Sequence, residues 1–157
     1  MVDSKYIKEL IHIDDKVIEV VPTNQLGLEE KYYQKVPYEN PILEIGEVRE
    51  DFFGRIYGTR SGDKGGCANL GVWAKTEDAY SFLFDFLTVK KLKELLPDLE
   101  SFEIDRYELP NIFSLNFYVH GILQEGVSSS TRMDGQAKSL GEYLRAKKIN
   151  FPLQLLK

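Results

Sequence analysis

Apolar and polar residues alternate with period two along residues 112–119. Phe113, Leu115, Phe117 and Val119 fall on one side, and Ser114, Asn116, Tyr118 and then His120 on the other. That period predicts a strand buried on one face. Residues 102–109 alternate less cleanly, as a strand carrying a bulge would, and Pro110 with Asn111 supplies the turn between the two. Residues 53–59 and 68–74 also read as strands, and the polar, glycine-rich run 60–67 between them reads as a loop. Ile149, Phe151 and Leu153 fit a final strand.

Elsewhere the period lengthens to that of a helix. Thr76 before Glu77 and Asp78 predicts a helix start, because a hydroxyl caps free backbone N–H groups and carboxylates favour the positive end of the helix dipole. Ala79, Tyr80, Leu83, Phe84 and Leu87 then share one stripe. Thr88 opens a second piece with Val89, Leu92, Leu95 and Leu96 on one face and Pro97 past its end. Met133, Ala137, Leu140 and Leu144 predict the buried stripe of a last helix. Taking the first two pieces as one covering layer, the order from residue 68 is strand, helix, strand, strand, helix, strand. It predicts an α+β fold, the ferredoxin-like split βαβ sandwich, in which helices cover one face of an antiparallel sheet. The strand at 53–59 is then an addition.

The first fifty residues differ in texture. Ile11, Ile13, Val17, Ile18, Val20 and Val21 suggest a hairpin around Asp14 and Asp15, and an irregular stretch with Pro22, Pro37 and Pro41 follows. Residues 1–50 therefore read as an amino-terminal arm or added strands, and 51–157 as the domain proper. The arm either extends the domain's own sheet or embraces a partner chain.

Composition narrows the function classes. A chain of 157 residues, 43% hydrophobic and 29% charged, suits one packed core. A net charge of −5 with scattered basic residues argues against a nucleic-acid partner. Cys67 is the only cysteine, which excludes an intrachain disulfide and a cysteine-rich zinc site, and with two histidines no metal is expected. The start shows neither a signal sequence nor an apolar run long enough to span a membrane, so a cytoplasmic protein is expected.

Three clusters could carry chemistry. In 60–67, three glycines free the backbone to present N–H groups while Arg60 and Lys64 bring cationic donors, so an anion could sit with Arg60, Ser61, Gly62, Lys64, Gly65 and Asn69. Equally, Asp63 could pair with Arg60 or Lys64 and close an ordinary hairpin loop. Before the last predicted helix, Ser128 and Arg132 could hold a carboxylate or phosphate, or the hydroxyls of 128–131 could simply cap the helix. His120 and Asp63 are candidate acid–base groups, His120 because imidazole titrates near neutrality, and the competing reading of His120 is a solvated or hydrogen-bonded structural histidine. Cys67 is a thiol without an evident base, and no catalytic role is assigned to it.

Arg60-Ser61-Gly62-Asp63-Lys64-Gly65, followed by Ala68-Asn69-Leu70-Gly71-Val72, resembles the opening signature of the carboxy-terminal domain of the AtuA (acyclic terpene utilisation) family. Phe86-Leu87-Thr88, Arg106-Tyr107-Glu108-Leu109-Pro110-Asn111, Leu115-Asn116-Phe117 and Gly126-Val127-Ser128 are similar in order and spacing. So are Arg132, Asp134, Lys138 and Leu140-Gly141-Glu142-Tyr143-Leu144, which carry the likeness over roughly residues 52–153. The chain departs from the family pattern at Gly66 and Cys67, where relatives usually have polar residues, and at Leu123-Gln124-Glu125, which replaces part of a more glycine-rich run.

The resemblance implies a ferredoxin-like domain that in relatives follows a larger amino-terminal domain, here expected to be missing. It also implies a setting in bacterial breakdown of acyclic terpenes such as citronellol and geraniol through acyl-CoA intermediates. The leading expectation is an auxiliary small subunit that associates with a separately encoded AtuA-type large subunit or with itself. The alternatives are a self-sufficient acyl-CoA hydratase or lyase, with Arg60 and Lys64 holding the anion and Asp63 or His120 moving protons, and a ligand-binding module without turnover. No cofactor is expected, and acyl-CoA is the ligand the resemblance implies.

Overall fold

The computed structural model describes residues 8–20 and 38–157, in two compact units, Met1–Pro37 and Tyr38–Lys157. In the first, β1 (Glu9–Ile13) and β2 (Lys16–Val20) form the expected hairpin, with Ile11 opposite Ile18. Asp14 turns the chain at φ 53°, a left-handed conformation that a short polar side chain tolerates. The hairpin forms a two-stranded antiparallel sheet of its own. The irregular stretch expected around Pro22 and Pro37 lies outside the described residues.

In the second unit, residues 38–47 run along a helix of the domain. Tyr38 packs on Tyr80 and Phe84, Asn40 Nδ2 donates to the Ser81 carbonyl, and Ser81 Oγ donates to that of Pro41. The chain then forms β3 (Val48–Phe52), a 3-10 turn (Phe53–Arg55), β4 (Gly58–Lys64) and β5 (Cys67–Trp73). Helices α1 (Glu77–Phe86) and α2 (Val89–Leu95) follow, then β6 (Ile104–Leu109), β7 (Ser114–Val119), α3 (Leu140–Arg145) and β8 (Lys148–Pro152).

Both predicted caps form. Thr76 Oγ1 accepts from the Ala79 N–H at 3.3 Å and Thr88 Oγ1 from the Lys91 N–H at 3.1 Å. Leu83, Leu87, Leu92, Leu96 and Leu99 are sealed against Ala68, Leu70 and Val72 of β5 and Leu115, Phe117 and Val119 of β7. Burial of each such large side chain contributes about 1.5–3 kcal/mol. Arg106 of β6 closes the far end of α1. Its guanidinium donates to the carbonyls of Phe84 at 2.7 Å and Leu87 at 3.2 Å, pairs with Glu108 at 2.6 Å and lies over the Phe84 ring. It satisfies carbonyls that a helix end leaves without partners.

The main sheet is antiparallel with order β4-β5-β7-β6. Strand β7 lies between β5 and β6, and α1 with α2 forms the crossover between those two, so the split βαβ unit of a ferredoxin-like α+β fold is present. The remaining place beside β5 is taken by β4, while β8 pairs with β3 in a separate two-stranded sheet. The last strand thus leaves the main sheet. Joined to β5 by two residues, β4 reaches that edge at far lower loop-closure entropy than β8 would.

Four elements differ from the sequence reading. Residues 53–59 are mostly not a strand: Tyr57 N–H bonds the Phe53 carbonyl, and the two rings bury together with centroids 4.7 Å apart, a helical rather than an alternating relation. The run 60–67 is mostly strand, and only Gly65 and Gly66 turn the hairpin. The stripe from Met133 to Leu144 is helical only from Leu140: Ala137 sits at φ 52°, which breaks a helix, and Met133 is fully exposed. Strand β6 pairs with β7 in continuous register, without a bulge.

Candidate functional site

Helices cover one face of the main sheet and the register gives the other face row by row. Gly58, Trp73, Ser114 and Leu109 form one row, then Arg60, Gly71, Asn116 and Tyr107, then Gly62, Asn69, Tyr118 and Asp105, with Lys64 opposite Cys67 at the end. One end of this face is apolar: Trp73, Tyr107, Leu109 and the nearby Ile112 are each 41–65% exposed. Trp73 lies over Gly58, where a Cβ would fall 2.2 Å from the indole ring. Gly62 and Gly71 leave two places on the face without side chains.

The other end is polar and linked. His120 Nε2 donates to Asp105 Oδ2 at 2.8 Å, and the Tyr107 hydroxyl reaches the same oxygen at 3.4 Å. The Tyr118 ring meets the imidazole edge-on at 4.9 Å. Asn69 Nδ2 donates to Asn116 Oδ1 at 3.3 Å. Cys67 Sγ accepts from the Gly121 N–H at 3.4 Å, and its hydrogen bond with Tyr118, aided by burial, holds that phenol above its ordinary range. A carboxylate that fixes one imidazole nitrogen leaves the other for proton transfer. Both side chains are nearly half exposed, at 40% and 45%, so the pair lies open to water.

The structure divides the sequence candidates between the two sides. Arg60 and Lys64 are exposed on the open face, and Lys138 Nζ reaches within 3.0 Å of where a Gly62 side chain would begin. Asp63 pairs with Ala68 in a row that faces the helices, away from Arg60, Lys64 and His120. Ser61 is buried beneath α3, where Oγ accepts from the Gly141 N–H at 2.9 Å and donates to the Lys138 carbonyl at 3.2 Å. Gly65, at φ 62°, occupies the first turn position, where a II′ hairpin needs glycine. The backbone of 60–64 belongs to the ladder, so it does not form the N–H cradle expected of a loop.

Gly66 lies against the loop after β7. Its carbonyl accepts from Leu123 N–H, and a Cβ there would fall 2.0 Å from the Gln124 carbonyl oxygen. Two departures from the family pattern, at 66–67 and at 123–125, are therefore in direct contact. Ser128 is exposed in a turn, and Arg132 lies on the helix side near Asp98, so neither joins the open-face cluster. Both precede α3 by several residues and do not cap it.

Sequence reasoning missed Asp105, which completes the His120 pair, and Tyr107, which shares its oxygen. The alternation of Asp105, Tyr107 and Leu109 against Ser114, Asn116 and Tyr118 would have found them had the pairing register been known. Among the described residues, no group of three or more His, Cys, Asp and Glu side chains is arranged to hold a metal ion, and no helix is long and apolar enough to cross a membrane.

The family model of the AtuA ferredoxin-like domain matches residues 54–150, from the 3-10 turn before β4 into β8. No curated protein and no solved structure matches the chain.

Proposed function

Because the chain belongs to the AtuA ferredoxin-like domain family, we propose that it is an auxiliary domain that docks through the open face of its main sheet onto a larger AtuA-type partner. The setting is acyl-CoA-linked catabolism of terpenoid or related carboxylates. The observation that carries this reading is the face itself, whose exposed Trp73, Tyr107 and Leu109 lie in adjacent rows beside the His120–Asp105 pair. Aromatic residues of this kind anchor interfaces, and each can account for 2 kcal/mol or more of binding. Cover by a partner would also exclude water from the imidazole, which strengthens any charge interaction made there.

Light scattering of the purified chain, alone and mixed with an AtuA-type large subunit from the same genome, tests the proposal. A mixed complex that Trp73→Glu weakens by about thirtyfold supports it. A chain that stays monomeric and ignores the large subunit refutes it, and a homodimer disrupted by the same substitution makes the partner a second copy. The His120–Asp105 pair favours one second reading, a self-sufficient enzyme that moves a proton on a carboxylated substrate. Turnover unchanged in His120→Gln and Asp105→Asn would remove that reading.

A further inference from the structure

A cavity of about 400 Å³ opens between the end of α2 and the start of α3, on the helix side of the sheet. Small-ligand pockets span roughly 300–1,000 Å³. Tyr143, 39% exposed, and the edge of Leu140 supply apolar surface, the fully buried Leu96 lies behind them, and the fully exposed Met133 stands at the rim. The polar lining consists of Asp98, Arg132, Asp134 and Ser139. Two of these are already engaged: Asp134 accepts from the Lys138 N–H at 2.8 Å, the Ser139 N–H at 2.9 Å and the Ser139 hydroxyl at 2.7 Å.

Arg132 and Asp98 remain. Arg132 Nη2 stands 3.9 Å from Asp98 Oδ2, beyond hydrogen-bond reach, and the guanidinium makes no hydrogen bond to another side chain among the described residues. The Asp98 carboxylate is 62% exposed, against 33% for Arg132, so solvent screens most of their attraction. A planar fork of donors without a close acceptor, set at the edge of a basin with a half-apolar lining, matches a carboxylate on a short apolar chain.

We propose that this cavity binds a small aliphatic monocarboxylate. The carboxylate takes the Arg132 fork in place of Asp98, and the chain lies along Tyr143 and the exposed edge of Leu140 beneath Met133, whose unbranched side chain adapts to it. This site is separate from the docking face, and neither proposal depends on the other.

The test is a titration of the full chain with hexanoate and with hexanamide, its uncharged counterpart, read by calorimetry and by the Met133 methyl resonance. Saturable hexanoate binding that moves that resonance, with hexanamide and Arg132→Gln each at least about tenfold weaker, supports the site. Asp98→Asn should tighten hexanoate binding by about threefold, because it removes the competing charge. Equal binding of acid and amide, an Arg132→Gln affinity equal to wild type, or a Met133 methyl that does not move up to the solubility limit overturns the proposal. If Arg132→Gln fails to fold by circular dichroism, the comparison of acid with amide on the wild-type chain decides.

Discussion

Replacing Ser61 by alanine should destabilise the domain by about 2 kcal/mol, although the residue sits on a polar strand at the sheet edge. Its hydroxyl lies in the inward row of β4 and serves α3, a helix of six residues whose Ser139 N-cap makes no side-chain cap bond. The Gly141 N–H points into the interior and finds Ser61 Oγ at 2.9 Å. Alanine leaves that buried amide without a partner, at about 1–3 kcal/mol, and removes the longer bond to the Lys138 carbonyl, worth about 0.5 kcal/mol. Urea unfolding should show a midpoint lowered by about 1 M at unchanged slope, and the melting temperature should fall by about 6 °C. Thr59→Val provides the control. Thr59 Oγ1 lies two residues away on the same side, buried and without a partner among the described residues, so its loss should leave stability unchanged or raise it. A Ser61→Ala change below about 0.5 kcal/mol, or no larger than that of Thr59→Val, would refute the view that this hydroxyl is the cap of α3.

Gly66→Ala places a methyl 2.0 Å from the Gln124 backbone oxygen, which no rotamer relieves, so it should break the Leu123 N–H to Gly66 bond and cost about 2 kcal/mol or more by urea unfolding. A near-neutral result would mean that the loop after β7 does not rest on this turn. Alkaline pH should also destabilise the fold. Burial pushes the Tyr80 phenol up to about 12, and the Tyr57 phenol further still. Above pH ~10 the unfolded chain releases phenolic protons that the folded chain keeps, so the unfolded state binds fewer protons and stability falls as pH rises. Urea midpoints should hold up to about pH 10 and decline through pH 12, and a flat profile would refute this.

Much of the architecture depends on local chemistry and was legible in the sequence. Thr76 and Thr88 cap their helices through N–H groups three residues away, and residues 115–119 alternate because one face of β7 is buried. The distinct motif blocks between residues 54 and 150 also carry the family. What the sequence left hidden depended on partners far along the chain. Strand β4 turns Thr59, Ser61 and Asp63 inward, a polar row without an apolar signal, and Ser61 is satisfied by an amide eighty residues away. The helical stripe through Met133 and Ala137 has the right period, but the backbone at Ala137 is left-handed and Met133 faces solvent.

The candidate site divides in the same way. His120 and Arg60 could be singled out by residue type alone, and a strand could be drawn through Ser114, Asn116 and Tyr118. That Asp105 meets His120, that Asp63 faces away from both Arg60 and Lys64, and that Arg132 borders a half-apolar cavity depend on strand register and on how the helices pack. The sequence by itself determined the residue types, the caps, the alternating strands and the family. Only the tertiary structure decided which strand took the edge of the sheet and which polar groups met. Pattern reflects the burial of each residue, whereas pairing depends on loop-closure entropy and on satisfying buried hydrogen bonds across the whole chain.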